Sequence, residues 1–214
     1  MGIKEFIPFL KEEQTSVKEK RDELRSCQDK LRMYELILGR YKDIIEQRES
    51  KTVTDLKALV KPNDEVVVRK RAEMTEKLRP YLFEQHFLGV AEEAHKFVKS
   101  IRTYVLPVDF WLSPKEVLEL RGGDPMDKAI FLCSLLIALE NLDSYVVAGT
   151  NKGIKIAVGF KFNNEWHFFD PISDQRIKGQ KEDLVQKWFG DMNRVYEFND
   201  REYSVLKETN EEEV

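Results

Sequence analysis

Two cysteines, Cys27 and Cys133, and three histidines, His86, His95 and His167, are the residues of this 214-residue chain best suited to nucleophilic or metal chemistry. The cysteines lie far apart and form neither a Cys-x-x-Cys pair nor a Cys/His cluster with zinc spacing. The histidines are scattered as well. Asp124 and Asp127 have helix-cap spacing, with nothing nearby to complete a metal shell. No phosphate loop, dinucleotide fingerprint or metal motif occurs, so no cofactor is expected. An acid–base enzyme built on Asp124, Asp127 or Asp170 has no support beyond the presence of the carboxylates.

The elements around these residues are more informative. A helix is expected over Val90 to about Val105, with Ala94, Phe97, Val98, Ile101 and Val105 as its apolar stripe. Trp111-Leu112-Ser113-Pro114 leads into a short helix at Lys115–Leu120. The loop from Arg121 through Gly122-Gly123-Asp124-Pro125 opens a second helix. There Asp124 suits the N-cap, Pro125 suits N1 and Asp127 suits N3. That helix is apolar nearly all round, the pattern of a central core helix. Strands are expected at Ser144–Ala148, Lys155–Phe162, Trp166–Asp170 and Arg194–Phe198. Trp111, Phe160, Phe162, Phe168 and Phe169 read as core packing rather than a ligand box.

This order resembles the transglutaminase-like (papain-type cysteine peptidase) superfamily over about residues 90–172. The residues that carry the resemblance are Trp111-Leu112-Ser113-Pro114, Gly123-Asp124, Asp127, Ala129, Ser134-Leu135-Leu136, and Trp166 four residues before Asp170-Pro171. It implies an α+β fold, a central helix against an antiparallel sheet. It also implies a thiol at the head of that helix, activated by a His that an Asp orients. The position implied for the thiol is Pro125, which has no nucleophile. The position implied for the imidazole, fifteen residues before the Asp, is Lys155. Asp170 alone remains of the triad, with a structural role, pairing with Lys155 or a backbone N–H. The expectation is therefore a non-catalytic member that binds a protein or peptide. The alternative is an active thiol hydrolase, peptidase or acyltransferase with a rearranged site. Cys133 lies two turns deeper in the helix, where apolar surroundings raise a thiol pKa and hide it. His167 alternates with Phe168 and Asp170 along its strand and reads as packed or surface, and His86 and His95 read as surface or satisfied residues.

The N-terminal part has another pattern. Leu10, Val17, Leu24, Leu31, Leu38 and Ile45 recur every seven residues, with Cys27, Tyr34 and Tyr41 three residues after three of them. A helix from about Pro8 to about Glu49 would extend roughly 60 Å. Glu13 and Lys20 weaken the first heptads, while Met33, Leu36, Ile37 and Ile44 widen the later apolar face. Two readings stay open: a helix packed on its own domain, or a coiled coil, intermolecular or folded back, with a homodimer as one outcome. Asn63 or Asp64 caps a further helix carrying Val67, Met74 and Leu78, which Pro80 ends. The expected domains are a helical stem at 1–62, a transglutaminase-like domain at 63–205, and an acidic disordered tail at 206–214.

The charge balance fits a protein partner. Net charge is −4, with 21 basic against 19 acidic residues in 1–100 and 14 against 20 in 101–214. Neither half has the basic excess that a phosphate backbone demands, so nucleic acid is not expected. The opening MGIKEFIPFL lacks the basic segment and sustained apolar run of a signal peptide. The longest apolar stretch, Ala129 to Leu139, is too short for a bilayer and is interrupted by Ser134. Phe6 breaks the myristoylation pattern. No membrane association and a reducing, cytoplasmic setting are expected.

Overall fold

The computed structural model describes residues 20–42 other than 22, 29 and 37, residues 53–104, and residues 111–209 other than 152. The chain divides into two compact units, residues 1–49 with 107–109 and residues 50–106 with 110–214.

In the first unit the described residues between 20 and 42 are helical, and this run is α1. Its heptad positions Leu24, Leu31, Tyr34 and Tyr41 are 64%, 56%, 56% and 48% exposed. The apolar seam is therefore presented rather than buried. Leu10, Val17, Ile44 and Ile45, and both ends of the expected stem, lie outside the described residues.

The second unit begins earlier than the expected boundary at residue 62. Its first helix, α2 (Val53–Leu59), contributes Leu56, and the following Val60 joins it in the main core. α3 (Glu65–Thr75) starts where Asp64 Oδ1 accepts from the Val66 N–H at 3.0 Å, as the N-cap pattern requires. α4 (Phe83–Ser100) begins seven residues before the stripe suggests. His86 accounts for part of that extension, because its Nδ1 accepts from the Leu82 N–H at 3.0 Å and satisfies one orphan donor of the first turn.

A two-stranded parallel ribbon joins β1 (Arg102–Thr103) to β2 (Gly122–Gly123), with α5 (Pro114–Leu120) between them in sequence. α6 (Pro125–Ala138) follows, and every residue from Met126 to Ile137 is buried. A six-stranded antiparallel sheet then forms from β3 (Ser144–Thr150), β4 (Ile154–Phe162), β5 (Glu165–Phe169), β6 (Arg176–Gly179), β7 (Arg194–Phe198) and β8 (Tyr203–Glu208). Its order is β6-β5-β4-β3-β7-β8. A further helix, α7 (Lys181–Phe189), lies between β6 and β7 in sequence.

The sheet separates two cores, and strand alternation sorts side chains between them. Val146, Val158, Phe160, Phe162 and Phe169 join the α6 side. Val147, Ala157, Phe168 and Val195 join Leu184, Trp188 and Phe189 of α7 on the other. Close approach on that second face needs glycine. A Cβ at Gly149 would stand 2.6 Å from Met192 Cγ, and one at Gly159 would stand 2.8 Å from Phe168 Cε1. The expected α+β arrangement, a central helix against an antiparallel sheet, is therefore present. The tail begins later than residue 206, since β8 runs to Glu208 and Leu206 packs against the α7-side core.

Candidate functional site

The head of α6 is built by a reciprocal cap. Asp124 Oδ1 accepts from the Asp127 N–H at 2.8 Å, and Asp127 Oδ2 accepts from the Asp124 N–H at 2.9 Å. Pro125 occupies N1, where a missing N–H costs nothing. Asp127 Oδ1 also accepts from the Leu112 N–H at 2.7 Å, which ties the loop before α5 to the start of α6. Ser113 caps α5 in the same manner, its Oγ and N–H both donating to Glu116 Oε2 at 2.6 and 2.8 Å. Burial, then the Asp124 charge, push the Asp127 carboxyl up to about 7, against the backbone N–H donors that favour its charged form.

Three sequence positions were expected to mark the triad, and each has its own surroundings. Pro125 stands at the head of α6, half-buried. Asp170 follows β5 and is consumed by its own turn. Its Oδ1 accepts from the Ile172 N–H at 2.8 Å and its Oδ2 from Ser173 Oγ at 2.7 Å. The backbone partner expected for Asp170 is present, and the Lys155 partner is not. Lys155 Nζ instead donates to both carboxylate oxygens of Asp191 at 2.6 and 2.8 Å.

Alternation along β4 explains why. Ile156, Val158 and Phe160 pack into the α6-side core, whereas Ala157 belongs to the α7-side core, and Lys155 shares the parity of Ala157. Asn141, just past the end of α6, donates from Nδ2 to the Lys161 carbonyl at 2.9 Å. The charge of Asp170 acts on Lys128 in the first turn of α6. α6 therefore begins at the end of the sheet where β5 finishes and where β4 carries Ile156. Ile156, an aliphatic residue, therefore packs on the α6 face of β4, whereas Lys155 projects from the other face. A shift of one residue along a strand reverses the face a side chain takes.

Cys133 is fully buried, and burial pushes its thiol pKa up, with Asp200 adding to the effect. A thiol so placed is protonated at neutral pH and closed to solvent.

Two buried groups lie near Asp170: Lys128, which sequence reasoning missed, and His95, a satisfied residue as one of its two readings had it. Lys128 is 1% exposed, and its Nζ donates to the Lys99 carbonyl at 3.1 Å, the Ile101 carbonyl at 2.9 Å and Thr103 Oγ1 at 3.2 Å. Burial lowers its pKa. The signal for it is a lone lysine in an otherwise apolar helix. His95 is buried too, with Nε2 2.6 Å from the Asp170 carbonyl and its ring centroid 4.9 Å from that of Phe169. The carbonyl partner assigns the proton to Nε2. Its role is to bind α4 to the β5 end, and the backbone rather than the carboxylate of Asp170 is its partner. His167 is buried on the α6 face, stacked on Phe160 at 5.0 Å with an interplanar angle of 3°.

Burial, then nearby Arg176 and Lys99, hold the His95 pKa below its ordinary value, against its bonds to the Asp170 and Ser173 carbonyls. The folded state then takes up this proton at lower pH than the unfolded chain. The stability that neutral His95 contributes is present above about pH 6.5 and is lost as pH falls toward the lowered folded value. His167 has the same sign, chiefly through burial, and Asp127 the opposite sign. A His95→Gln variant isolates the effect. The gap in unfolding free energy between wild type and variant should narrow as pH drops from 7 to 5 in urea titrations. A constant gap would show that His95 is not held neutral.

Among the described residues no group of three or more His, Cys, Asp or Glu side chains is arranged to hold a metal ion. No helix among them is long and apolar enough to cross a membrane.

Comparison with known proteins agrees with the motif order. Residues 109–195 match the family model described as the CEP76 peptidase-like domain. No curated protein matches the chain. Among solved structures, LapG of Legionella pneumophila is similar at 18% identity and a TM-score of 0.49, covering 72% of this chain and 88% of LapG. Calcium-bound LapG from the same organism is similar at 15% identity and a TM-score of 0.47, covering 67% of this chain and 92% of its own. The matched residues 109–195 contain the run from Trp111 to Pro171 that resembles the transglutaminase-like superfamily, and over that stretch the chain is similar to a peptidase-like domain.

Proposed function

We propose that this protein is a non-catalytic transglutaminase-like module that binds a protein or peptide in a reducing, cytoplasmic setting, with α1 as its docking stem. One observation supports the reading: Pro125 occupies N1 of the buried helix, and Lys155 of β4 is bonded to Asp191 while its neighbour Ile156 packs on the α6 face. Acyl transfer by this fold needs a thiolate there and an imidazole to make it. Proline supplies no sulfur, and neither Lys155 nor Ile156 supplies an imidazole. The reciprocal Asp124–Asp127 cap is intact, so the helix start is kept for the fold. Asp170 supports the same reading, because both its carboxylate oxygens are engaged in the turn after β5. The free cysteines, exposed Cys27 and buried Cys133, suit a compartment without disulfides.

Incubation of the native protein with a peptidyl vinyl sulfone, followed by intact mass measurement, tests the reading. No adduct at any site other than exposed Cys27 is expected, and Cys27→Ser should abolish labelling altogether. An adduct on the Cys27→Ser protein would restore the hydrolase reading.

A further inference from the structure

We propose that α1 pairs with a second copy of this chain as a parallel, in-register coiled coil. The proposal deepens the docking role given to α1 above and rests on it. With Leu24, Leu31 and Leu38 at the a positions, Cys27, Tyr34 and Tyr41 fall at d. Leu24, Leu31, Tyr34 and Tyr41 are each about half exposed or more, so the seam is open to a partner.

Flanking charges decide what the partner is and how it runs. Lys30 occupies g and Glu35 the following e. In a parallel, in-register pair, the g residue of one helix meets the e residue of the next heptad on the other. Lys30 of each copy then faces Glu35 of the other, and two-fold symmetry makes the contact twice. Residues five apart on one helix do not face each other, so this complementarity has no use within a single α1. Among the described residues neither Lys30 nor Glu35 is engaged in an ion pair.

The competing arrangement is antiparallel. The register that fills every layer sets Leu31 against Tyr34 and Leu24 against Tyr41. It also sets Lys42 at e against Arg21 at e, again twice, and leaves Lys30 facing an apolar position. Repulsion replaces attraction, which is how flanking residues select orientation. Cys27 separates the two arrangements by geometry. In the parallel pair the two Cys27 residues share one d layer, within the Cα separation a disulfide spans. In the antiparallel pair Cys27 faces Leu38, and the two thiols are displaced by roughly 16 Å along the axis. Cys27 is exposed and free, whereas Cys133 is buried and cannot substitute for it.

The test uses the whole chain. Light scattering across a concentration series should give an oligomer. Incubation with oxidised glutathione should convert it into a covalent pair joined through Cys27, and Cys27→Ser should remain uncrosslinked. Lys30→Glu should weaken self-association on the order of tenfold, since two attractive contacts become repulsive. Lys30→Glu combined with Glu35→Lys should recover it. All are exposed positions whose folding can be checked by circular dichroism. A monomer at every concentration would overturn self-pairing and leave the non-catalytic reading untouched, since that stands or falls on electrophile labelling. An oligomer without Cys27 crosslinking, or one that the double charge swap fails to restore, would overturn the parallel register.

Discussion

Replacing Pro125 with Cys and Ile156 with His together, in a Cys27→Ser background, is expected to create a thiol that ionises at least about 2 pH units below an ordinary cysteine. The sulfur would sit at N1 of α6, beside the free N–H groups and positive potential of a helix start whose Asp124 and Asp127 caps are already in place. The imidazole would project from β4 on the α6 face, where Ile156 packs now. The readout is the pH at which iodoacetamide reaches half its plateau rate. The rate itself is a poorer measure, because a thiolate loses nucleophilicity as its pKa falls. Pro125→Cys with Lys155→His is the control. That imidazole would stand beside Asp191 on the other face, so the thiol should titrate as an ordinary one. Equal shifts in both double variants, or none in either, would contradict the placement of Ile156. Hydrolytic turnover is not expected from the rebuilt pair. The Asp170 carboxylate is taken by Ile172 and Ser173, so no third group is free to orient the new ring.

Lys128→Met should destabilise the protein by about 2–4 kcal/mol, read as a lower urea midpoint. The ammonium binds two carbonyls where α4 ends, Lys99 and Ile101, and the Thr103 hydroxyl of β1. These acceptors converge on one buried donor that reaches out from the first turn of α6. It thus fastens the central helix to the end of α4 and to the ribbon that leads into the α6 head. Methionine fits the same space but donates nothing, so buried acceptors lose their partner. Lys115, on exposed α5, forms only a long contact with Glu119 at 3.9 Å, and Lys115→Met should change stability by less than about 0.5 kcal/mol. A similarly small effect for Lys128→Met would show that water replaces the lysine without cost.

The α6 head was fully legible in the sequence. Asp124, Pro125 and Asp127 are local signals, and the cap they predict depends on no distant contact. The all-apolar helix and four of the strands were legible for a related reason, since burial on both sides, or on one, writes itself into periodicity. Face assignment on β4 was not. It depends on register, and a shift of one residue in counting from Asp170 across a loop exchanges Lys155 for Ile156 and one face for the other. β6, α7 and β8 escaped because their sequences are short and charged. Arg176–Gly179 and Tyr203–Glu208 are outer strands of the sheet, and their burial alternates weakly. The roles of Lys128 and His95 were invisible for a different reason. Each is set by carbonyls of another element, Lys99 and Ile101 for one and Asp170 for the other, and backbone acceptors leave no trace in residue types.

Cys133 offers the most direct test of a domain without catalytic sulfur. Native protein treated with iodoacetamide at neutral pH and mapped by peptide mass spectrometry should be modified at Cys27 alone, with Cys133 reacting only after denaturation. Modification of native Cys133 at a rate matching or exceeding that of Cys27 would mean an open, ionised thiol inside α6, and the protein would have to be read as an enzyme.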